Sequence, residues 1–138
     1  MSADLTWLLV KDNSSFLVKR NGVQFTTEPN NLTNLNSFKY SGLANTKAFG
    51  ISANPSGKGV VLSTKKQAVS ASKPAKSSQR VAISGSSRRA ARAIVNATAR
   101  SGYRADLRKA ALGRLSAILA AQKPKKVTKK AGRETLRK

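Results

Sequence analysis

Arg89, Arg92, Asn96 and Arg100 recur at a spacing that gathers them within about 80° on one side of a helix turning 100° per residue. Ala91, Ile94, Val95 and Thr98 take the opposite side. Guanidinium groups in such an array suit one kind of chemistry, the neutralisation of phosphates, and their planar fork can hold two oxygens at once. A merely solvated helix face mixes signs, because like charges one turn apart oppose helix formation. Here no acid interrupts the chain between Glu28 and Asp106. The stripe therefore reads as a phosphate-binding surface.

Other chemistry finds little to build with. The chain has no cysteine and no histidine, and only five carboxylates, so zinc sites, disulfides and the usual acid–base residue are absent. Gly57-Lys58-Gly59 invites comparison with a phosphate loop, but six residues rather than four separate it from Gly50, and Gly59 stands where the metal-binding hydroxyl belongs. No nucleophile has a neighbouring base. Neither an enzyme nor a cofactor is expected.

The charge balance agrees with the arginine stripe. Of 138 residues, 27 are Lys or Arg against five acids, a net charge of +22. From Ser63 onward there are 21 bases and two acids, Asp106 and Glu134. Such a chain repels itself when compact and needs a polyanion; nucleic acid, with its dense phosphates, suits better than a membrane surface or an acidic protein. Alanine supplies 20 of the hydrophobic residues, and Lys66 to Lys138 contain only thirteen large apolar ones. That half is expected to order fully only on its partner. No stretch approaches the roughly 20 apolar residues of a membrane helix, and Leu5 to Val10 is too short for a signal peptide. The expected location is cytosolic or nuclear. The run Lys123-Pro124-Lys125-Lys126-Val127-Thr128-Lys129-Lys130 also looks like a nuclear-import signal, or like plain electrostatic glue.

The elements that must position these residues give an α+β class with an antiparallel sheet. Ser2-Ala3-Asp4 starts a short helix to about Val10, with an edge strand as the rival. Asn21-Gly22 turns a hairpin that sets Val18 opposite Phe25 and Arg20 opposite Val23, with Phe16, Val18, Val23 and Phe25 on one face. A polar irregular segment runs from Glu28 to about Gly42, and two strands follow near Lys47–Ile51 and Gly59–Thr64. This first unit spans 1–64. Residues 65–87, rich in Ser, Ala and Lys, read as a linker or wrapping arm. Helices over 88–101, stopped by Gly102, and 105–122, ended by Pro124, form a basic hairpin over 88–122. The second helix carries an apolar stripe of Leu107, Ala111, Leu115, Ile118 and Leu119. Residues 123–138 are a basic tail. Phe38 and Tyr40, with Lys39 between them, could stack on unpaired bases, although aromatics in a small sheet are more often core.

Several blocks resemble a known family. Ser14-Ser15-Phe16-Leu17-Val18-Lys19-Arg20-Asn21, Thr27-Glu28-Pro29-Asn30-Asn31-Leu32 and Asn36-Ser37-Phe38-Lys39-Tyr40-Ser41-Gly42-Leu43 are similar to eukaryotic large-subunit ribosomal proteins of the L28e type. So are Tyr103 to Ala111, Ser116 to Leu119 and Gln122-Lys123-Pro124, in the family's order. The likeness is weakest from about Thr64 to Val81 and after Lys125. It implies a structural component of the cytoplasmic ribosome, with passage through the nucleus and nucleolus during assembly, bound to large-subunit ribosomal RNA and neighbouring ribosomal proteins. No membrane, small-molecule substrate or self-association is implied. The RNA contacts expected are then Arg88, Arg89, Arg92, Arg100, Arg104, Arg108 and Arg114, with Lys123, Lys125 and Lys126. Lys19, Arg20, Asn30, Asn31 and Lys39 form a second group. The rival is a chromatin-associated, linker-histone-like DNA binder, supported by the Ala/Lys/Pro/Ser composition of arm and tail.

Overall fold

The computed structural model describes residues 2–69 and 73–124. Helix α1 (Ala3–Val10) begins where Ser2 caps the Leu5 amide with its hydroxyl. Strands β1 (Leu17–Arg20) and β2 (Val23–Thr26) pair antiparallel in the expected register, Val18 with Phe25 and Arg20 with Val23. The turn works because Asn21 and Gly22 both take positive φ, 48° and 76°, as a two-residue hairpin requires. The apolar face of this hairpin is only partly covered: Phe16 and Val18 are half-buried, Val23 and Phe25 remain exposed, and the fully buried residue is Thr26 on the other side.

Strands β3 (Phe49–Ala53), β4 (Val60–Lys65) and β5 (Ser78–Ile83) form a separate antiparallel sheet with β4 in the centre. Strand β5 lies within the 65–87 segment read as a linker or wrapping arm. It escaped notice because an edge strand need only bond its backbone to β4 and turn in one large residue, here the half-buried Ile83. Gln79 to Ala82 are exposed, with Arg80 among them, a usual guard against edge-to-edge pairing.

Alternation splits this sheet into two faces. Phe49, Ile51, Val60 and Leu62 lie on one, buried to 5% exposure or less. Gly50, Ser52, Ser63 and Lys65 lie on the other. The apolar face receives helix α2 (Ser87–Val95), which continues as a π turn (Asn96–Arg100), and helix α3 (Arg108–Gln122), entered through a 3₁₀ turn (Ala105–Leu107). Ala90, Ile94, Leu107, Ala111 and Leu115 close one core with the sheet and Leu32. The second half, expected to order fully only on its partner, packs on the sheet through its described helices. Its few large residues suffice because they share the core of the sheet instead of building their own.

The polar loop after the hairpin is braced by buried Glu28. Its carboxylate accepts from Asn31 Nδ2 at 3.0 Å and Ser41 Oγ at 3.2 Å. Gly50 lets this loop lie flat on the sheet, since a Cβ there would come within 2.9 Å of Asn30 Cα. Replacing Glu28 with Ala leaves the Ser41 hydroxyl and one of the two Asn31 amide hydrogens without their acceptor in a buried site. The expected cost is about 1–3 kcal/mol, read as a lower urea midpoint at unchanged slope.

Candidate nucleic-acid interface

The helix pair presents its arginines because α2 buries the opposite side. Ile94 and Thr98 are fully covered, whereas Arg88, Arg89, Arg92 and Arg100 are exposed. The π turn matters to this arrangement. Its i→i+5 pattern widens the helix, so residues beyond Asn96 advance by less than the α-helical angle. Arg100 nevertheless stays on the outer surface. Thr98 Oγ1 donates to Ile94 O at 2.7 Å, and the Tyr103 and Arg104 amides both donate to Thr98 O.

Between α2 and α3 lies a shallow cavity of about 350 Å³, walled by Arg92, Asn96, Arg100 and Arg108 over a floor of Ala91, Val95 and Leu112. No carboxylate lines it. The fold thus brings three of the expected arginines together and extends them along α2 with Arg88 and Arg89. An apolar-floored groove edged by guanidinium groups can seat a sugar–phosphate strand, with the arginines on the phosphates.

The remaining candidates fall in different places. Lys19, Arg20 and Lys39 are exposed on the hairpin and on the 3₁₀ turn Phe38–Tyr40. Lys39 Nζ lies 5.8 Å from the centre of the Tyr40 ring, within cation–π range. Half-buried Asn30 accepts from Ser63 Oγ at 2.6 Å. Arg114 is half-buried, and it borders a broad cleft on the polar face of the sheet together with Asn30 and Arg80. Lys123 is exposed at the end of α3, and Lys125, Lys126 and the rest of the tail lie outside the described residues, with the import-like run from position 125.

Two candidates have their polar groups engaged within the chain. Asn31 is buried; its amide donates to Glu28 Oε1 and Leu35 O, and its oxygen accepts from the Thr33 and Asn34 amides. Arg104 grips Asp106 with Nε and Nη2 at 2.9 and 2.8 Å and gives Nη1 to Lys47 O and Nη2 to Lys39 O, both at 2.9 Å. Beside it the Tyr103 hydroxyl reaches Lys65 O at 2.6 Å and Ala48 O at 3.1 Å, and burial raises its phenol above the ordinary value. Together they fasten the connection between the helices to the end of the sheet. At the far end Gln122 pairs with the Gly59 backbone, donating to its carbonyl at 2.8 Å and accepting from its amide at 3.1 Å. Sequence reasoning missed Tyr103 and Gln122, since neither carries a local signal of its distant partner.

The hydrogen bonds from Arg104 hold the Asp106 carboxyl below its ordinary value of 3.8. A lowered folded value means the bond stabilises the fold above pH 3.8 and is lost as acid protonates the carboxylate. Asp106→Asn should therefore flatten the acid limb of stability between about pH 5 and pH 2, leaving the slope near neutrality alone. Because Asp106 is 44% exposed, the change should be small. Urea midpoints across that range measure it.

Fold and groove together define a class, small basic α+β proteins that hold arginines outward on a braced helix pair. Comparison with known sequences makes it specific. Residues 5–121 match the model of the Ribosomal L28e protein family, and the chain belongs to that family. It is similar to the large ribosomal subunit protein eL28 of Schizosaccharomyces pombe, 46% identical over 91% of this chain and 96% of the relative. The eL28 of Dictyostelium discoideum is 40% identical over 88% and 89%. That of Caenorhabditis elegans is 48% identical over 49% of this chain and 53% of its own length. The chain is a structural ribosomal protein, not an enzyme. The chromatin alternative finds no support in these matches.

Proposed function

We propose that this chain stabilises the folded arrangement of large-subunit ribosomal RNA by neutralising phosphates, chiefly in the groove of Arg92, Arg100 and Arg108. The observation that carries this reading is the convergence of three arginines on one cavity without a carboxylate to satisfy them. Arg88 and Arg89 extend the contact along α2, and Lys123, Lys125 and Lys126 add charge beyond α3. Lys19, Arg20, Lys39, Asn30 and Arg114 form a second group. Asn31 and Arg104 act instead as positioning residues, because their polar atoms are already engaged. Recognition rests on RNA shape and backbone more than on base sequence. The place of action is the cytoplasmic ribosome, reached through nucleolar assembly.

The test is sedimentation. The intact chain should follow the large subunit after magnesium chelation separates the subunits, and should resist a moderate salt wash. Arg92→Glu, Arg100→Glu and Arg108→Glu together should leave most of the chain at the top of the gradient. Undiminished co-sedimentation of that variant would remove the groove from the RNA interface.

A further inference from the structure

The helices cover one face of the β3–β4–β5 sheet and leave the polar face to a cleft of about 1470 Å³. Strand pairing sets Gly50, Ser63 and Arg80 in one row across that face, and Asn30 lies on the row. A Cβ at Gly42 would stand 3.0 Å from Asn30 Cβ, and one at Gly50 2.9 Å from its Cα, so the two glycines clasp this residue. Its φ is 63°, a left-handed conformation that suits Gly, Asn and Asp and few others. Ser63 Oγ donates to Asn30 Oδ1 at 2.6 Å, which occupies the oxygen and leaves Nδ2 without an acceptor among the described residues. A constrained backbone that fixes a spare donor on an open sheet face is a place prepared for a ligand.

The cleft is larger than the roughly 300–1,000 Å³ of small-molecule sites, so its occupant is a macromolecule. Its only carboxylate, Glu28, is buried and already accepts from Asn31 and Ser41. Of its cations, Lys65 is spent on the Gly42 and Asn45 carbonyls. Lys66 and Arg80 are exposed in it, and half-buried Arg114 borders it with a buried Nε that has no partner among the described residues. Cations without free acids suit a phosphate backbone. Asn30, Ser52 and Ser63 add amide and hydroxyl groups that match ribose 2′-hydroxyls. No aromatic side chain lines the cleft, so unpaired bases find no platform to stack on. A duplex needs none, because the shallow minor groove of RNA presents 2′-hydroxyls and phosphates directly.

We propose that this cleft binds the backbone of an RNA duplex, with Asn30 Nδ2 donating to a 2′-hydroxyl or phosphate oxygen and Lys66 and Arg80 holding phosphates. The groove of Arg92, Arg100 and Arg108 lies beyond the helices, on the other side of the sheet, so the chain brackets two RNA segments. This deepens the RNA reading proposed above and rests on it. The full chain is titrated with an RNA duplex of about 16 base pairs, the DNA duplex of the same sequence, and one RNA strand alone. The RNA duplex should bind best. Asn30→Asp keeps the side chain's shape and tolerates the left-handed backbone; with Arg80→Ala it should weaken RNA-duplex binding about tenfold and erase the preference over DNA. The Arg92→Ala, Arg100→Ala and Arg108→Ala variant should keep that preference while losing salt slope. In large subunits, benzophenone amino acids at Ser52 and at Arg89 should label two different duplex segments. Equal binding of DNA or of the single strand, or a preference that survives Asn30→Asp with Arg80→Ala, overturns the cleft alone. So does a Ser52 probe that labels protein, the Arg89 segment or nothing in a chain that co-sediments. A chain absent from large subunits overturns both readings.

Discussion

Replacing Arg92, Arg100 and Arg108 together with Ala is expected to weaken binding to large-subunit RNA by about 10²–10³-fold near physiological salt. Each charge-assisted hydrogen bond is worth about 1.5 kcal/mol or more, close to one factor of ten. Screening and the flexibility of exposed side chains trim the product. The sharper signature is the salt dependence. Each phosphate released steepens or flattens the plot of log affinity against log salt by about one unit, so the variant should lose about two to three units of slope. Folding should be spared, because none of the three is buried. Arg→Lys at the same positions separates charge from geometry. It should keep the slope while losing part of the affinity, since an ammonium cannot hold two oxygens in a plane. An unchanged slope for the Ala variant would place the phosphates elsewhere.

Ile94→Ala should be the most damaging single change in the helix pair, costing about 2–5 kcal/mol. Ile94 is 0% exposed and belongs to the cluster that joins Phe49 and Val60 of the sheet to Leu107 and Leu115. Its removal deletes three carbon atoms where the helix that carries the arginines meets the sheet, and the sheet backbone cannot collapse to fill the gap. Against a total stability of about 5–15 kcal/mol, the melting temperature should fall by about 10 °C. Val95→Ala, one residue on and half-exposed, should cost well under half as much. Urea unfolding of the two variants, read at equal slope, makes the comparison. Similar midpoints would mean that α2 is held by its caps and turns rather than by this contact.

What could be read from the sequence followed the range of the interaction. Helix α1 and the β1–β2 hairpin are written locally, in Ser2 as a cap and in Asn21-Gly22 as a turn, and both formed in the expected register. The outward arginines of α2 were legible because period and sign agreed over twelve residues. Strand β5 was not, because its pairing with β4 is a tertiary choice that Ser78 to Ile83 barely advertise. The hairpin taught a different lesson. Alternation identified its apolar face, but alternation alone does not say whether that face is buried, and here Val23 and Phe25 look outward. The local role of Arg104 was hidden for a related reason. As one cation in a basic run it resembled its neighbours, yet its fork closes on Asp106 and on two carbonyls 57 and 65 residues away. Nothing nearby in the chain marks the difference.

The pairing of Gln122 with Gly59 spans 63 residues and sets an order of events during synthesis. Strands β3 and β4 leave the polymerising ribosome early and can pair at once. Arg92 and Arg100 follow, but the groove has only one wall until Arg108 and the length of α3 have emerged and Gln122 reaches back to the turn. Closing so long a loop adds an entropic cost that only the finished helix can repay. A nascent chain halted before residue 122 would therefore own a sheet without an assembled arginine groove. On the proposed reading of the groove, its competence for RNA would follow the completion of α3 rather than the pairing of the sheet.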